Sequence, residues 1–271
     1  MSIFFTLIGF IFGSFINSLV WRINLKINFK TKNKPELSII SGRSMCPKCK
    51  HKLSPLDLIP VLSWLCLSGK CRYCKKPISI QYPAVELLTG FLFLFSYAYW
   101  PLNYNNWGYI LLAIWLVIIV VSISLALYDL KYRILPNNLV YILIFFSAAF
   151  IIIYFLNYNT TLAYLFSRIF GVIFSFGIFY LIFQISHGRW IGGGDVKLCI
   201  ALGLLLGGPL EVIVMIFFAS LIGSVVSFFM ILTNKLKSNH TIAFGPLLIS
   251  STFVCFFFAP QIINWYTTLI K

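Results

Sequence analysis

Long apolar stretches separated by short polar breaks dominate the chain. Most of them reach about 18 residues or more, which is the length that a helix needs to cross the hydrocarbon core of a bilayer. The pattern predicts an all-α polytopic membrane protein with about eight transmembrane helices. The sixth stretch is short and glycine-rich, which is tolerable if other helices surround it. The predicted spans are 2–21, 83–100, 108–128, 139–156, 163–186, 196–209, 211–232 and 242–265.

Residues 22–82 depart from this pattern, because they are polar, rich in turn-forming residues and carry 13 of the 21 Lys and Arg. Cytoplasmic loops of membrane proteins are enriched in Lys and Arg. We therefore predict a small cytoplasmic subdomain at 22–82, between a first transmembrane helix at 1–21 and a seven-helix domain at 83–271. Alternation of the spans then places both termini outside. The basic residues of the later cytoplasmic loops are Lys131, Arg133, Arg189, Lys197, Lys235 and Lys237.

Composition agrees with this topology. The chain is 60% hydrophobic and 10% charged, whereas soluble domains average about 25% charged residues. A formal net charge of +15 would suggest a nucleic-acid partner in a soluble protein. Here 19 of the 21 basic residues fall on the predicted cytoplasmic side, with Arg168 and Lys271 as the exceptions. The charge is thus explained by membrane topology, and we expect a lipid bilayer and no nucleic acid as partner.

Two of the six acids in the chain lie at the ends of predicted spans, where an acid is costly and is therefore a functional candidate. Asp129 ends the third span, and Asp195 begins the sixth. Both fall at the predicted cytoplasmic boundary, so packing of these two spans would bring them together. Two carboxyl groups in one site share a proton near neutral pH. Such a pair can activate a water and protonate the leaving amide nitrogen of a peptide.

Structural roles for the two aspartates are the alternatives. Asp195 could be a helix N-cap, a position that Asp favours. Asp129 could be an interface acid paired with Lys131 or Arg133, although a carboxylate at a helix C-terminus opposes the helix dipole. The glycines at 192–194 favour the functional interpretation, since Gly tolerates positive φ and has no side chain, and so lets backbone lie close to a bound peptide.

Four cysteines form two Cys-x-x-Cys pairs, Cys46 with Cys49 and Cys71 with Cys74, and 21 residues separate the pairs. This spacing is typical of a structural zinc site. A cytoplasmic location argues against disulfides, so the alternative is a pair of reduced or redox-active dithiols. His51 is expected to be a solvated loop residue or a substitute ligand. The other cysteines are expected in the core: Cys66, Cys199 and Cys255.

The order of these motifs along the chain resembles that of the type IV prepilin peptidases, which are GxGD-type membrane aspartyl proteases. The resemblance covers nearly the whole chain and includes the tetracysteine segment. The GxGD motif itself corresponds to Gly192–Asp195. The other matching stretches are Gly13–Asn17, Ile59–Trp64, Tyr82–Leu87, Asp129–Asn137 and Phe244–Pro246.

The resemblance implies an enzyme that cleaves the leader peptides of type IV prepilins and pseudopilins at the cytoplasmic face of the bacterial inner membrane. It also implies N-methylation of the new N-terminus with S-adenosylmethionine, and contact with pilus or secretion assembly machinery. By resemblance Asp129 and Asp195 are the catalytic pair, and zinc is held by the four cysteines Cys46, Cys49, Cys71 and Cys74. Residues that would support the active site are Gly192, Gly193, Gly194 and Lys197.

Two other functions of the chain, and the role of one acidic residue, remain open at this point. The chain could be an ion-coupled transporter, although transporter sites lie near the membrane midplane and these acids lie at its edge. It could also be a non-catalytic pilus assembly factor that docks through its basic zinc segment. Glu86, inside the second span, could be a first-turn acid stabilised by the helix dipole, a substrate-facing acid or a helper in methylation.

Overall fold

The computed structural model describes residues 1–29, 42, 44–158, 160–233 and 243–270. Lys235, Lys237 and Lys271, which entered the topology prediction, lie outside them. Within these ranges the regular structure is helical. The helices are α1 Ser2–Phe29, a 3-10 helix Pro55–Leu58, α2 Leu62–Cys66, α3 Gln81–Ala98, α4 Asn106–Tyr132, α5 Asn137–Asn157, α6 Leu162–Ile185, α7 Gly193–Leu205, α8 Pro209–Leu232 and α9 Gly245–Ile270.

The all-α membrane architecture predicted from the sequence is confirmed, with a difference in the number of spans. Among the described residues, a helix occupies each of the eight predicted positions, and six of these helices, α1, α4, α5, α6, α8 and α9, are long and apolar enough to cross a membrane. Helix α3 starts on polar residues and contains Glu86. Helix α7 has 13 residues and is therefore about 20 Å long, short of the roughly 30 Å of a hydrocarbon core.

The chain divides into two compact units, residues 1–100 and 101–271. In the first unit α1 and α3 pack against each other at very close range. A Cβ added at Gly9 would lie 2.7 Å from the Cα of Gly90, and one at Gly13 would lie 2.5 Å from the Cα of Glu86. Glycine at these crossings is the small-residue packing that membrane helices use in place of hydrophobic burial.

Two similar turns in the first unit carry the cysteine pairs. An isolated β-bridge closes each turn, Met45 to Lys52 in one and Lys70 to Pro77 in the other. In each turn the first cysteine accepts a backbone hydrogen bond from the residue four positions later, Lys50 or Lys75, at 2.9 Å. Both lysines have a positive φ, 58° and 56°. The two cysteine pairs therefore lie in turns of the same backbone geometry.

In the second unit α7 is the central element, packed against α5, α6 and α9. Its side chains Leu198, Cys199 and Ala201 are fully buried. Helix α4 packs against α5 and α9, and Trp115 of α4 stacks on Phe256 of α9 at 3.8 Å between ring centres. A short helix surrounded in this way can end inside the hydrophobic layer.

Candidate active site and metal centre

Asp129 lies near the C-terminal end of α4. The helix stops at Arg133, which takes the left-handed conformation and donates its backbone N–H to the Asp129 carbonyl at 2.8 Å. The Asp129 side chain is buried, and its Oδ2 accepts the backbone N–H of Gly245 at 3.2 Å. The first residue of α9 thus contacts the last turn of α4.

Asp195 is the third residue of α7, and Gly192 is the N-cap. The backbone N–H of Asp195 donates to the Gly192 carbonyl at 3.0 Å. The alternative that Asp195 caps the helix is therefore wrong, since its carboxylate is not at the capping position. Its Oδ1 is buried and has no hydrogen-bond partner within the described ranges. A buried carboxylate oxygen without a protein partner is unusual, and a catalytic role or a bound water is among its explanations.

Gly245 lies between the two carboxylates. A Cβ built on it would be 2.7 Å from Asp129 Oδ2 and 3.5 Å from Asp195 Oδ1. These oxygens are therefore at most about 6 Å apart, the sum of the two distances. Two hydrogen bonds of about 2.8 Å each let one water span about 5.6 Å. The separation is compatible with one shared water, as the paired-aspartate hypothesis requires.

The pair is assembled mainly through shared neighbours. We expected the third and sixth apolar helices to pack on each other, and the main contacts that connect α4 with α7 run through α5 and α9, which pack against both. The residues between α4 and α5 contribute directly. Asn137 Oδ1 accepts the Lys197 ammonium at 3.0 Å, and Leu135 lies against Gly194. Lys197, predicted to support the active site, therefore ties α7 to the start of α5.

The glycines before Asp195 contribute by leaving room for neighbouring groups, not by adopting unusual backbone angles. Gly192 has φ −74°, and none of the three has a positive φ. Of the two properties expected of these glycines, the motif uses the missing side chain and not positive φ, because α7 begins at Gly193 with helical backbone. A Cβ on Gly194 would lie 3.0 Å from the Leu135 Cβ, whereas one on Gly193 would meet Phe183 at an ordinary 3.6 Å.

The sequence did not predict the position of Gly245. Phe244-Gly245-Pro246 was recognised only as a motif, and nothing in its residue types shows that it meets Asp129 and Asp195. A glycine followed by proline at a helix start, after a polar stretch, was the available signal.

The four predicted metal ligands lie together. The sulfur atoms of Cys46, Cys49, Cys71 and Cys74 all lie within 4.8 Å of one another. Tetrahedral zinc with Zn–S bonds of about 2.3 Å requires sulfur atoms roughly 3.8 Å apart, so the donor set and its spacing fit zinc. His51 does not join the cluster, and its ring instead packs on Tyr73 at 3.7 Å.

The thiols influence each other's ionisation. Burial raises the pKa of Cys46, but hydrogen bonds from the backbone of Cys49 and Lys48 outweigh burial and lower it to about 7. The pKa of Cys49 shifts the other way: a backbone hydrogen bond from His51 lowers it, but burial and the neighbouring thiols Cys46 and Cys74 raise it to about 11. Four thiolates this close need a cation to offset their charge.

An unpredicted ion pair stabilises this segment. Asp57 Oδ1 accepts from Arg72 at 2.7 Å, and Oδ2 accepts from Ser54 and Tyr73. Burial raises the pKa of Asp57, but the bonds from Ser54, Arg72 and Tyr73 outweigh burial and lower it to about 2. Since Arg72 and Tyr73 lie between Cys71 and Cys74, the pair ties the 3-10 helix to the second cysteine turn.

Two further expectations change. Cys66 is exposed at the end of the short α2, so its prediction as a core residue was wrong, while Cys199 and Cys255 are buried as expected.

Glu86 is the sixth residue of α3 and so lies beyond the first turn. The helix-dipole interpretation is therefore wrong, and Glu86 instead accepts the backbone N–H of Val61 at 2.6 Å. Val61 has φ 62°, an unfavourable conformation for a β-branched residue.

Comparison with known proteins identifies the family. The model of the bacterial peptidase A24 N-terminal domain matches residues 7–100, and the model of the type IV leader peptidase family matches residues 111–228. This chain belongs to the type IV leader peptidase family. The matched ranges contain all four cysteines and both aspartates.

Three relatives carry the same name, prepilin leader peptidase/N-methyltransferase. The Bacillus subtilis protein is 31% identical over 95% of this chain and 96% of its own length. The Vibrio cholerae protein is 34% identical over 94% of this chain and 96% of its own, and the Aeromonas hydrophila protein is 30% identical over 97% and 92%. No solved structure shows significant similarity to the chain. The type IV leader peptidase architecture therefore extends over nearly the whole chain.

Proposed function

We propose that this protein cleaves the leader peptides of type IV prepilins and pseudopilins and N-methylates the new N-terminus. The observation that carries the cleavage is the meeting of Asp129 and Asp195 at Gly245, with Asp195 Oδ1 buried and without a partner among the residues that the structure describes. The names of the relatives, each a prepilin leader peptidase/N-methyltransferase, support both reactions.

In this proposal the two aspartates share one proton, because two carboxylates at this separation cannot both ionise cheaply. The ionised carboxylate takes a proton from a water between them, and the hydroxide formed attacks the scissile carbonyl carbon. The protonated carboxyl donates its proton to the amide nitrogen as the C–N bond breaks. Gly245 leaves room for that water, and Lys197 and the glycines hold α7 in place. We expect the pair to titrate as a unit.

Zinc bound by Cys46, Cys49, Cys71 and Cys74 would have a structural role in this proposal. A four-cysteine site without an open position holds polypeptide together and does not activate water. It would connect two turns in a segment, residues 44–80, whose buried residues are Cys46, Gly69 and Cys71. The methyl donor is proposed to be S-adenosylmethionine, on the names of the relatives alone.

The multi-pass protein is proposed to reside in the bacterial inner membrane, with both termini outside. Residues 22–82 would form the cytoplasmic segment and 83–271 the protease domain, with the aspartates at the cytoplasmic face. Prepilins and pseudopilins would be its substrates, and pilus or secretion assembly machinery its further partner. The clustering of Lys and Arg in residues 22–82 supports this orientation.

The test is cleavage of a candidate prepilin by the purified protein in lipid nanodiscs, with mass spectrometry of the new N-terminus. Asp129→Asn and Asp195→Asn should each lower cleavage by at least a thousandfold, while both proteins remain folded. Asp57→Asn, the same substitution away from the pair, should cleave like the wild type. Cleavage at the wild-type rate by either active-site variant would remove the basis for a two-aspartate protease. A flux assay on reconstituted protein would then test the transporter alternative, and pilus assembly by the same variants the assembly-factor alternative.

A further inference from the structure

Arg168 lies in α6 and is one of the two basic residues that the topology prediction leaves outside the cytoplasmic side. Its guanidinium lies against the C-terminal end of α7, where Nη1 donates to the carbonyl of Leu205 at 2.6 Å and lies 3.5 Å from that of Leu204. The Tyr164 ring covers the guanidinium, with 4.7 Å between Cζ and the ring centre. Arg168 is thus held in one geometry by a helix end and an aromatic face.

The C-terminal end of α7 needs such a donor. The last carbonyls of any helix lack intrahelical partners, and α7 is too short to bring its end to a membrane surface. Leu205 and Leu206 are almost fully buried. Carbonyls at this depth without a donor would be strongly unfavourable in hydrocarbon. A cation at a helix C-terminus is also favoured by the helix dipole.

Other contacts from α6 continue along α7. Ser175 Oγ donates to the Cys199 carbonyl at 2.9 Å, and Ser167 Oγ donates to the Gly207 carbonyl just beyond the helix. A Cβ on Gly171 would lie 3.2 Å from the Gly203 carbonyl oxygen, so the two backbones are in close contact. Helix α6 therefore fixes both the depth and the rotation of α7.

We propose that Arg168 is a positioning residue for the proposed cleavage: it anchors the carbonyl end of α7 and so sets where Asp195 lies at the other end. Helix α7 is a single stiff element of 13 residues, so a shift at Leu205 is transmitted to Asp195. Misplacement of a catalytic group by about 1 Å can lower a rate about a hundredfold. The contacts of Lys197 and Gly194 hold the start of α7 laterally but supply no donor at its end.

The experiment compares Arg168→Met, Arg168→Lys and Ile169→Met with the wild type in prepilin cleavage in nanodiscs. Ile169→Met introduces the same side chain one position away, on an exposed part of α6. We expect Arg168→Met to lower kcat at least tenfold with KM unchanged, and Arg168→Lys, which retains a donor, to recover kcat to within about threefold of wild type. Ile169→Met should match the wild type. Methylation of an already cleaved pilin, measured in parallel, should be unchanged in all variants.

The outcomes separate this inference from the proposed function on which it rests. Failure of the wild-type protein to cut any prepilin would overturn the proposed function and this inference with it. Wild-type cleavage together with normal kcat in Arg168→Met would overturn only the positioning role. Equal loss of cleavage and methylation would indicate general misfolding and would also overturn it. If the Arg168→Met protein does not accumulate, Ser175→Ala tests the inference in its place. A kcat at least threefold below wild type would support the inference, and a wild-type kcat would overturn it.

Discussion

Substitution of Gly245 by alanine tests the geometry of the aspartate pair most directly. The new Cβ would lie 2.7 Å from Asp129 Oδ2, whereas a carbon–oxygen contact is comfortable at about 3.3 Å or more. The Asp129 carboxylate would have to move by roughly 0.6 Å, and its hydrogen bond from the Gly245 N–H would stretch or break. Overpacking of this kind costs about 1–3 kcal/mol in stability.

The effect on catalysis should be larger than the effect on stability. The methyl group would also come within 3.5 Å of Asp195 Oδ1 and would occupy the space of the proposed shared water. We expect prepilin cleavage to fall about a hundredfold, as for a 1 Å misplacement of a reacting group. The assay is the nanodisc cleavage reaction with mass spectrometry, and thermal unfolding of the same preparation measures stability.

Gly177→Ala provides the matched control, because a Cβ at Gly177 in α6 would meet nothing within 4 Å. It should cleave at the wild-type rate and unfold at the same temperature or slightly higher, since Ala favours helix more than Gly. A folded Gly245→Ala protein that cleaves within threefold of wild type would show that Gly245 does not border the reacting space. The paired-carboxylate geometry would then be wrong at this point.

Three further predictions concern other parts of the molecule. Gly194→Ala should slow cleavage severalfold because its Cβ would press on Leu135, whereas Gly193→Ala should be tolerated; equal rates for the two variants would contradict the spatial role of the motif. Removal of metal by a strong chelator should raise hydrogen exchange across the two cysteine turns without changing exchange in α4 or α7, and unchanged exchange in the turns would argue against a structural metal. The hydrogen bonds of Asp57 should stabilise its segment by about 1–2 kcal/mol at pH 7, allowing for solvent around the half-exposed Arg72. Because the folded pKa of Asp57 lies below its ordinary value of 3.8, this stabilisation should be lost as the pH falls from about 4 to 2. The hydrogen-exchange rates of wild type and Asp57→Asn, both metal-free, should therefore differ at pH 7 and become equal near pH 2. A difference that did not change with pH would contradict this role of Asp57.

The helices and the metal cluster were predictable because their signals are local. Apolar length indicates a membrane helix wherever it occurs, and the spacing within each Cys-x-x-Cys pair is sufficient to define a turn with two ligands. The burial of Cys199 followed from the same local pattern. The exposure of Cys66 could not be predicted in this way. Helix α2 is too short to bury its last residue, and the length of a short helix is hard to derive from its residues.

The details of the candidate active site depend on contacts between distant segments. Gly245 meets Asp129 although they lie 116 positions apart in the sequence, and no residue type at either position specifies that contact. Glu86 similarly accepts the N–H of Val61, 25 residues away, in place of a role in the first helical turn. Such positions could be marked as candidates from the cost of a buried acid, but their partners follow only from the packing of the helices.

The shortness of α7 explains why the candidate site lies where it does. A helix of about 20 Å cannot reach both surfaces of a 30 Å layer, so at least one of its ends must lie within protein. The end with Asp195 carries Lys197 and the polar Asn137 beside it, whereas the other end lies among buried leucines and takes its donor from Arg168. A full-length span would place charged groups at two surfaces and leave no need for Arg168. In the proposed topology, the arginine at 168 is therefore a consequence of using a short helix to carry Asp195.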